Sequence, residues 1–239
     1  MLSKGQIKLI TSLKQKKYRQ QHGLFIVEGI KTINELLNSN LELQSLYTTE
    51  LFYNNSKKEI LISEADLKRI SFLTTPNKAL AIFKIPPKKS SVKKGFILAL
   101  DDIRDPGNLG TIIRLCDWFG IKDLVCSTKT VDCYNPKVIQ ATMGSITRVN
   151  INYINLVDFL NDTKLPIYGA FMEGENIYSK TDIKEGILVM GNEANGISKA
   201  IEILIKEKVS IPRFGDLQAT ESLNVDTATA ILLSEFKRR

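Results

Sequence analysis

Beyond residue 95, short apolar runs suited to strands alternate with segments whose apolar residues recur at helical spacing. Strands are expected at 96–100, 124–127, 149–153, 167–171, 187–190 and 209–211, and helices at 108–119, 136–143, near 156, 198–205 and 223–236. Strands separated by helices do not close as hairpins, because each parallel neighbour is reached through a crossover. The alternation predicts an α/β domain whose parallel sheet is covered by helices on both faces. Ligands of open α/β sheets bind at the C-terminal ends of the strands, so the loops leaving those ends are where chemistry is expected.

Pro86-Pro87-Lys88-Lys89-Ser90-Ser91-Val92-Lys93-Lys94-Gly95 offers almost nothing to bury and reads as a linker over 86–95. It divides the 239 residues into a small α/β unit, 1–85, and the larger domain, 96–239. In the small unit, Ser3 can cap a basic helix running to about Arg19, and 24–27 is a short buried strand. A helix with apolar positions Ile30, Ile33, Leu36 and Leu37 follows, then a strand at 43–48. Ser63 with Asp66 three residues on resembles a capping box opening a helix through Ile70, and a strand at 79–85 closes the unit.

Charge separates the same two parts. Residues 1–94 carry 17 Lys+Arg against 7 Asp+Glu, whereas residues 95–239 carry 16 against 19. The positive excess lies wholly in the first part, which points to a polyanion, nucleic acid above all, as its partner. Cys116, Cys126 and Cys133 form no C-x-x-C pair and read as reduced, buried thiols, so neither a disulfide framework nor a metal site is expected. His22, the only histidine, lies in the polar stretch Gln20-Gln21-His22-Gly23 and reads as a surface residue. A Ser-His or metal-His mechanism has no support. No apolar run approaches the ~20 residues of a membrane span, and no apolar signal region follows Met1, so a soluble cytoplasmic protein is expected.

Three loops carry candidate chemistry. The first runs from Asp101 to Arg114 through Asp105-Pro106-Gly107-Asn108-Leu109-Gly110. Asn108 is read as the N-cap of a helix burying Leu109, Ile112, Ile113, Cys116 and Phe119. Gly107, Gly110 and Arg114 share a stripe at spacings of three and four, so Arg114 projects beside a surface without side chains. An equally open reading pairs Arg114 with Asp117 at i+3. The second loop, Gly191-Asn192-Glu193-Ala194-Asn195-Gly196-Ile197, sets glycines about an acid just before a helix, but lacks the G-x-G-x-x-G spacing of a dinucleotide site. That absence argues against a nucleotide-cofactor enzyme of Rossmann type. The third begins at Ile211-Pro212 and ends at Ser222-Leu223-Asn224-Val225, opening the last helix. Taken singly, the second and third could be ordinary strand-to-helix turns.

Together, and in this order, the three loops resemble the motifs of the SpoU (TrmH-type) ribose 2′-O-methyltransferases of the SPOUT superfamily. Phe25-Ile26-Val27-Glu28-Gly29 adds a resemblance to that family's ribosomal-protein-like substrate-binding domain. The resemblance implies a trefoil-knotted parallel-sheet methyltransferase domain, an exception to the avoidance of threaded chains. It also implies a homodimer whose active site forms near the subunit interface. Gly191, Ile211 and Leu223 would line the S-adenosylmethionine pocket, and Asn108, Arg114, Glu193 and Asn224 match the family's functional polar positions. The implied reaction is methylation of a ribose 2′-hydroxyl, in ribosomal RNA because a substrate domain precedes the catalytic one. The alternatives are transfer RNA, or an RNA-binding ribosome-assembly factor without chemistry. Asp226 stands where the family commonly carries serine, and the loop 213–221 is longer than usual.

Overall fold

The computed structural model describes residues 2–52, 58–87, 95–180, 185–215, 217 and 222–238. Most of the expected linker, 88–94, and the middle of the 213–221 loop lie outside the described residues. In chain order the first part comprises α1 (Lys4–Ser12), α2 (Lys16–His22), β1 (Leu24–Glu28), α3 (Ile30–Leu37), β2 (Leu43–Thr48), β3 (Glu59–Leu61), α4 (Glu64–Ile70) and β4 (Ala79–Lys84). The second comprises β5 (Phe96–Leu100), α5 (Pro106–Trp118), β6 (Asp123–Ser127), α6 (Pro136–Thr142), β7 (Asn150–Ile154), α7 (Leu156–Asp162), β8 (Ile167–Asn176), β9 (Gly186–Met190), α8 (Lys199–Glu202), β10 (Glu207–Ser210) and α9 (Val225–Lys237). Two compact units result: Met1–Pro87 with Asp132–Thr147, and Lys88–Val131 with Arg148–Arg239. The sequence boundary at the linker leaves Asp132–Thr147, and α6 with it, on the other side.

The first unit is a four-stranded sheet in the order β1-β4-β2-β3, parallel only between β2 and β3. The single basic helix expected after Ser3 is two helices. Ser3 and Gln6 form a complete capping box, yet α1 stops at Ser12. The hydroxyls of Thr11 and Ser12 donate back to the carbonyls of Ile7 (2.8 Å) and Leu9 (2.7 Å), a competition with the backbone ladder that bends or ends helices. Arg19, only 2% exposed, donates to the carbonyls of Leu13 (2.9 Å) and Lys14 (2.8 Å) at the break and pairs with Asp132 through Nε at 2.9 Å. One buried guanidinium thus satisfies what the interrupted helix leaves open. β3, three residues long, has no counterpart in the sequence reading.

The second unit is a six-stranded sheet in the order β10-β8-β9-β5-β6-β7. Every pairing is parallel, as the alternation predicts. Ile97 and Ala99 of β5 and Ile187 and Val189 of β9 pack with Leu156 and Leu160 of α7 and Ile201 of α8. On the opposite face Phe236 of α9 meets Phe96 and Tyr168, with ring centroids 5.0 and 5.3 Å apart. Ile97, Leu98, Ile187 and Leu188 are fully buried, each contributing about 1.5–3 kcal/mol of apolar burial. β8 runs five residues past the expected 171 to Asn176, because β10 pairs with it twice across a register shift at Lys208/Val209. No helix among the described residues is long and apolar enough to cross a membrane. All three cysteines are buried, as expected, and His22 is exposed.

Candidate active site

The loops leaving β5, β9 and β10 converge in the second unit. After β5, Asp101 is buried and its Oδ2 accepts the Ser198 N–H at 2.8 Å, tying the first loop to the start of α8. Asp102 follows with φ at +59°, a left-handed conformation that Asp tolerates better than most residues. Its carboxylate holds the Arg104 guanidinium in two bonds of 3.1 and 2.8 Å.

The N-cap of α5 is Asp105, not Asn108. Asp105 Oδ1 accepts the Asn108 N–H at 2.9 Å, with Pro106 in the first helical turn. Proline suits that position because its φ is preset and the N–H it lacks has no helical acceptor there. A Cβ on Gly107 would come within 2.9 Å of the capping Oδ1. Asn108 lies inside the helix, which frees its amide, and Nδ2 donates to Glu193 Oε1 at 3.0 Å. Glu193 also accepts the backbone N–H of Arg104 at 3.3 Å and of Asp105 at 3.2 Å. Its carboxylate therefore sits at the positive end of the α5 dipole, where negative charge is favoured.

Asn192, which the sequence reading passed over, joins the two loops. Its Nδ2 donates to the Asp102 carbonyl at 2.6 Å, and its Oδ1 accepts the N–H groups of Ala194 and Asn195 at 3.0 Å each. Asn192 and Gly196 exchange backbone hydrogen bonds of 2.9 Å, closing the turn that presents Glu193. Gly191 enters that turn with no room for a side chain: a Cβ would lie 2.3 Å from Gly196 C and from Ile197 N. The only sequence signal for Asn192 was the tendency of asparagine to bond its own backbone two residues on.

At the C-terminal ends of β9 and β10 lies a cavity of about 1110 Å³. Gly191, Glu193, Ile211, Leu223 and Asn224 all line it, and Met172, Ile197 and Leu232 supply apolar wall. Asn108 is brought to it through Glu193. Ile211 to Gly215 run outside regular secondary structure, so their backbone groups are not committed to a ladder. Asn224 sits at the N-terminus of α9 without capping it by its side chain.

Arg114 stands apart from the cavity, about 9 Å further along α5 than Asn108 at 1.5 Å per residue. It is exposed. The pairing with Asp117 is not made: the Asp117 carboxylate accepts Arg148 Nε at 2.8 Å. The glycine stripe beside Arg114 is only partly on the surface, since Gly107 is exposed but Gly110 is buried in the helix packing.

Comparison with known proteins bears on the same segments. The SpoU rRNA Methylase family matches residues 95–234, and the MRM3-like substrate binding domain matches residues 4–81. A curated relative from Bacillus subtilis, 23S rRNA (guanosine(2553)-2′-O)-methyltransferase RlmP, is 27% identical over 94% of this chain and 93% of its own length. Among solved structures, a TrmH-family protein from Porphyromonas gingivalis is 39% identical, covers 100% of this chain and 99% of its own, and superposes with a TM-score of 0.89. An rRNA methyltransferase from Sinorhizobium meliloti, solved with AdoMet bound, is 26% identical with a TM-score of 0.86, covering 100% of this chain and 96% of its own.

Proposed function

Since the chain belongs to the SpoU rRNA methylase family, we propose that it transfers a methyl group from S-adenosylmethionine to a ribose 2′-hydroxyl of ribosomal RNA. The observation that carries this reading is the convergence of Gly191, Ile211 and Leu223 on one cavity, beside a Glu193 carboxylate held by Asn108. The residues present suit the cofactor. The volume takes an adenosine-sized ligand, Met172, Leu223 and Leu232 offer apolar wall, and uncommitted backbone follows Ile211. When bound, the cofactor supplies an already activated methyl group. What is left to the chain is alignment, and holding two reactants in line is worth ~7–11 kcal/mol.

In this reading Gly191, Ile211 and Leu223 bind the cofactor. Asn108, Glu193 and Asn224 hold the polar side of the site. Arg114, exposed and with its nearest acidic neighbour on the helix already paired to Arg148, clamps a phosphate or ribose of the RNA. A guanidinium carries only donors and is poorly suited to accept the hydroxyl proton. Requiring a 2′-hydroxyl is itself what makes the substrate RNA. Ribosomal RNA is favoured over transfer RNA by the similarity to the B. subtilis 23S rRNA enzyme.

The division of labour we propose gives RNA affinity to residues 1–85, joined by the 86–95 linker to the transferase part, 96–239. The positive excess of residues 1–94 and the match to a substrate binding domain support it. We add a trefoil-knotted transferase part, a homodimer and a cytoplasmic location to the proposal. Trp118, 84% exposed near the end of α5, supports dimerisation through that helix, because exposed tryptophans are favoured interface anchors. The test is to map 2′-O-methyl sites in ribosomal RNA from cells with and without the gene, and to titrate the purified protein with S-adenosylmethionine. Loss of one site and a measurable binding heat are expected; an unchanged map with no heat would overturn the reading.

A further inference from the structure

The large exposed apolar side chains around the cavity fall into two groups. Met172, Leu217 and Leu223 line the cavity and are covered when it is filled. Phe214, 82% exposed, and Tyr178, 40% exposed, do not line it, although Arg213 and Gly215 on either side of Phe214 do. A cofactor in the cavity leaves these two rings uncovered. They face each other at a centroid distance of 6.5 Å with planes 30° apart. Tyr178 is held in place: Asn176 Oδ1 accepts its N–H at 3.0 Å, and the neighbouring Ile177 is buried.

We propose that Phe214 and Tyr178 form a stacking platform for an unpaired base of the RNA strand at the rim of the cofactor cavity, an inference resting on the reading that this chain acts on RNA. Aromatic faces receive any base, and each such stack contributes to single-strand affinity without reading hydrogen bonds. On the Tyr178 side the nearest cation is already engaged. Lys180, two residues from Tyr178, is held by Glu175 at 2.6 Å and Glu207 at 2.7 Å, so its ammonium is already neutralised. Stacking releases no counterions, so the platform's own contribution is insensitive to salt, unlike that of phosphate-bound lysines. Adenine of the cofactor is the other aromatic ligand to consider, but it belongs inside the cavity, whose lining excludes both rings.

The experiment uses the full chain saturated with S-adenosylhomocysteine and single-stranded RNA oligonucleotides carrying 2-aminopurine, whose fluorescence is quenched on stacking. Phe214→Ala and Tyr178→Ala are each expected to weaken binding about tenfold, the scale of one lost stack, and to reduce the quenching, equally at low and high salt. Phe214→Tyr restores both; Phe214→Leu, which keeps the apolar bulk but not the ring face, does not. In methyl transfer to ribosomal RNA from cells lacking the gene, KM for RNA rises and KM for S-adenosylmethionine stays. Wild-type behaviour of Phe214→Leu, unchanged RNA binding in Phe214→Ala, a parallel loss of cofactor affinity, or loss of self-association without loss of RNA affinity would each overturn the platform. If the wild-type protein transferred no methyl group at all, the enzymatic reading would fail while the quenching titration still judged the platform.

Discussion

Adding one methyl group at Gly191 tests the close approach that shapes the site. In Gly191→Ala the new Cβ meets Gly196 C and Ile197 N at 2.3 Å and Gly196 O at 2.7 Å, all of them backbone. Ordinary carbon contacts lie at about 3.5–4.0 Å, so the 191–197 turn must move by an ångström or more. The turn is closed by the two 2.9 Å bonds between Asn192 and Gly196, each worth about 1 kcal/mol net. Overpacking adds about 1–3 kcal/mol. A total near 3–5 kcal/mol follows, or about 6–20 °C in Tm at about 2–4 °C per kcal/mol. Because residues 193–196 are exposed, the turn relieves the clash by moving outward, and Glu193 then leaves Asn108. Cofactor affinity, read by calorimetry, should therefore fall more than tenfold even well below the new Tm. Gly215→Ala is the control: it lies on the same cavity with nothing within 4 Å of a built Cβ, and should melt and bind like wild type. A Gly191→Ala protein with unchanged Tm and unchanged cofactor affinity would refute the reasoning.

Arg114→Ala should lower single-turnover methyl transfer by roughly two orders of magnitude while Tm and cofactor affinity hold; Arg114→Lys keeps the charge but loses the fork and should also be impaired. Normal turnover in a folded Arg114→Ala protein removes the residue from the mechanism. Arg19→Met strands the partly buried Asp132 carboxylate and two backbone carbonyls, so urea unfolding should show a loss of about 3 kcal/mol, the low end for breaking a buried pair; a loss under about 1 kcal/mol contradicts that account. Burial lifts the Glu28 carboxyl above its ordinary value of 4.5, outweighing the hydrogen bonds from Ser71 and Phe72 that pull it down. The folded state then holds the proton more tightly, so this contribution is fully present below the unfolded pKa and is lost as pH rises through the folded one. The stability difference, wild type minus Glu28→Gln, should fall with rising pH across that window, and a flat or rising difference in urea midpoints counts against it.

The strand and helix order was legible because apolar period alone distinguishes the two, and the parallel sheet followed from the alternation. Gly191, Ile211 and Leu223 were found on one cavity because strand-to-helix loops of a parallel sheet meet at one edge. What local pattern could not give was competition between good candidates and contact at long range. Asp105 and Asn108 are both fit caps, and Pro106 was the overlooked signal that the cap precedes it. The carbonyls left open at the break after Ser12 are met by Arg19, which is itself held by Asp132, a partner 113 residues away. The β8 extension through Glu173-Gly174-Glu175 looks like a loop until β10 lies beside it. Asp132–Thr147 joins the first unit through contacts no linear boundary reveals, Phe25 with Tyr134 at 4.8 Å among them.

The strand order of the large sheet also sets a timetable for the nascent chain. β5 pairs on one side with β6, which follows it closely, and on the other with β9, Phe96 opposite Gly186. β8 leaves the ribosome before β9 but has no partner in the sheet except β9 and β10. At ~5–20 residues per second, a half-sheet of β5, β6 and β7 waits about 2–7 seconds with one edge of β5 open. Such an edge is a template for pairing with another chain. The last third of the sequence therefore decides whether the chain closes its sheet or aggregates, and synthesis that stalls between β7 and β9 is where expression of this protein is most vulnerable.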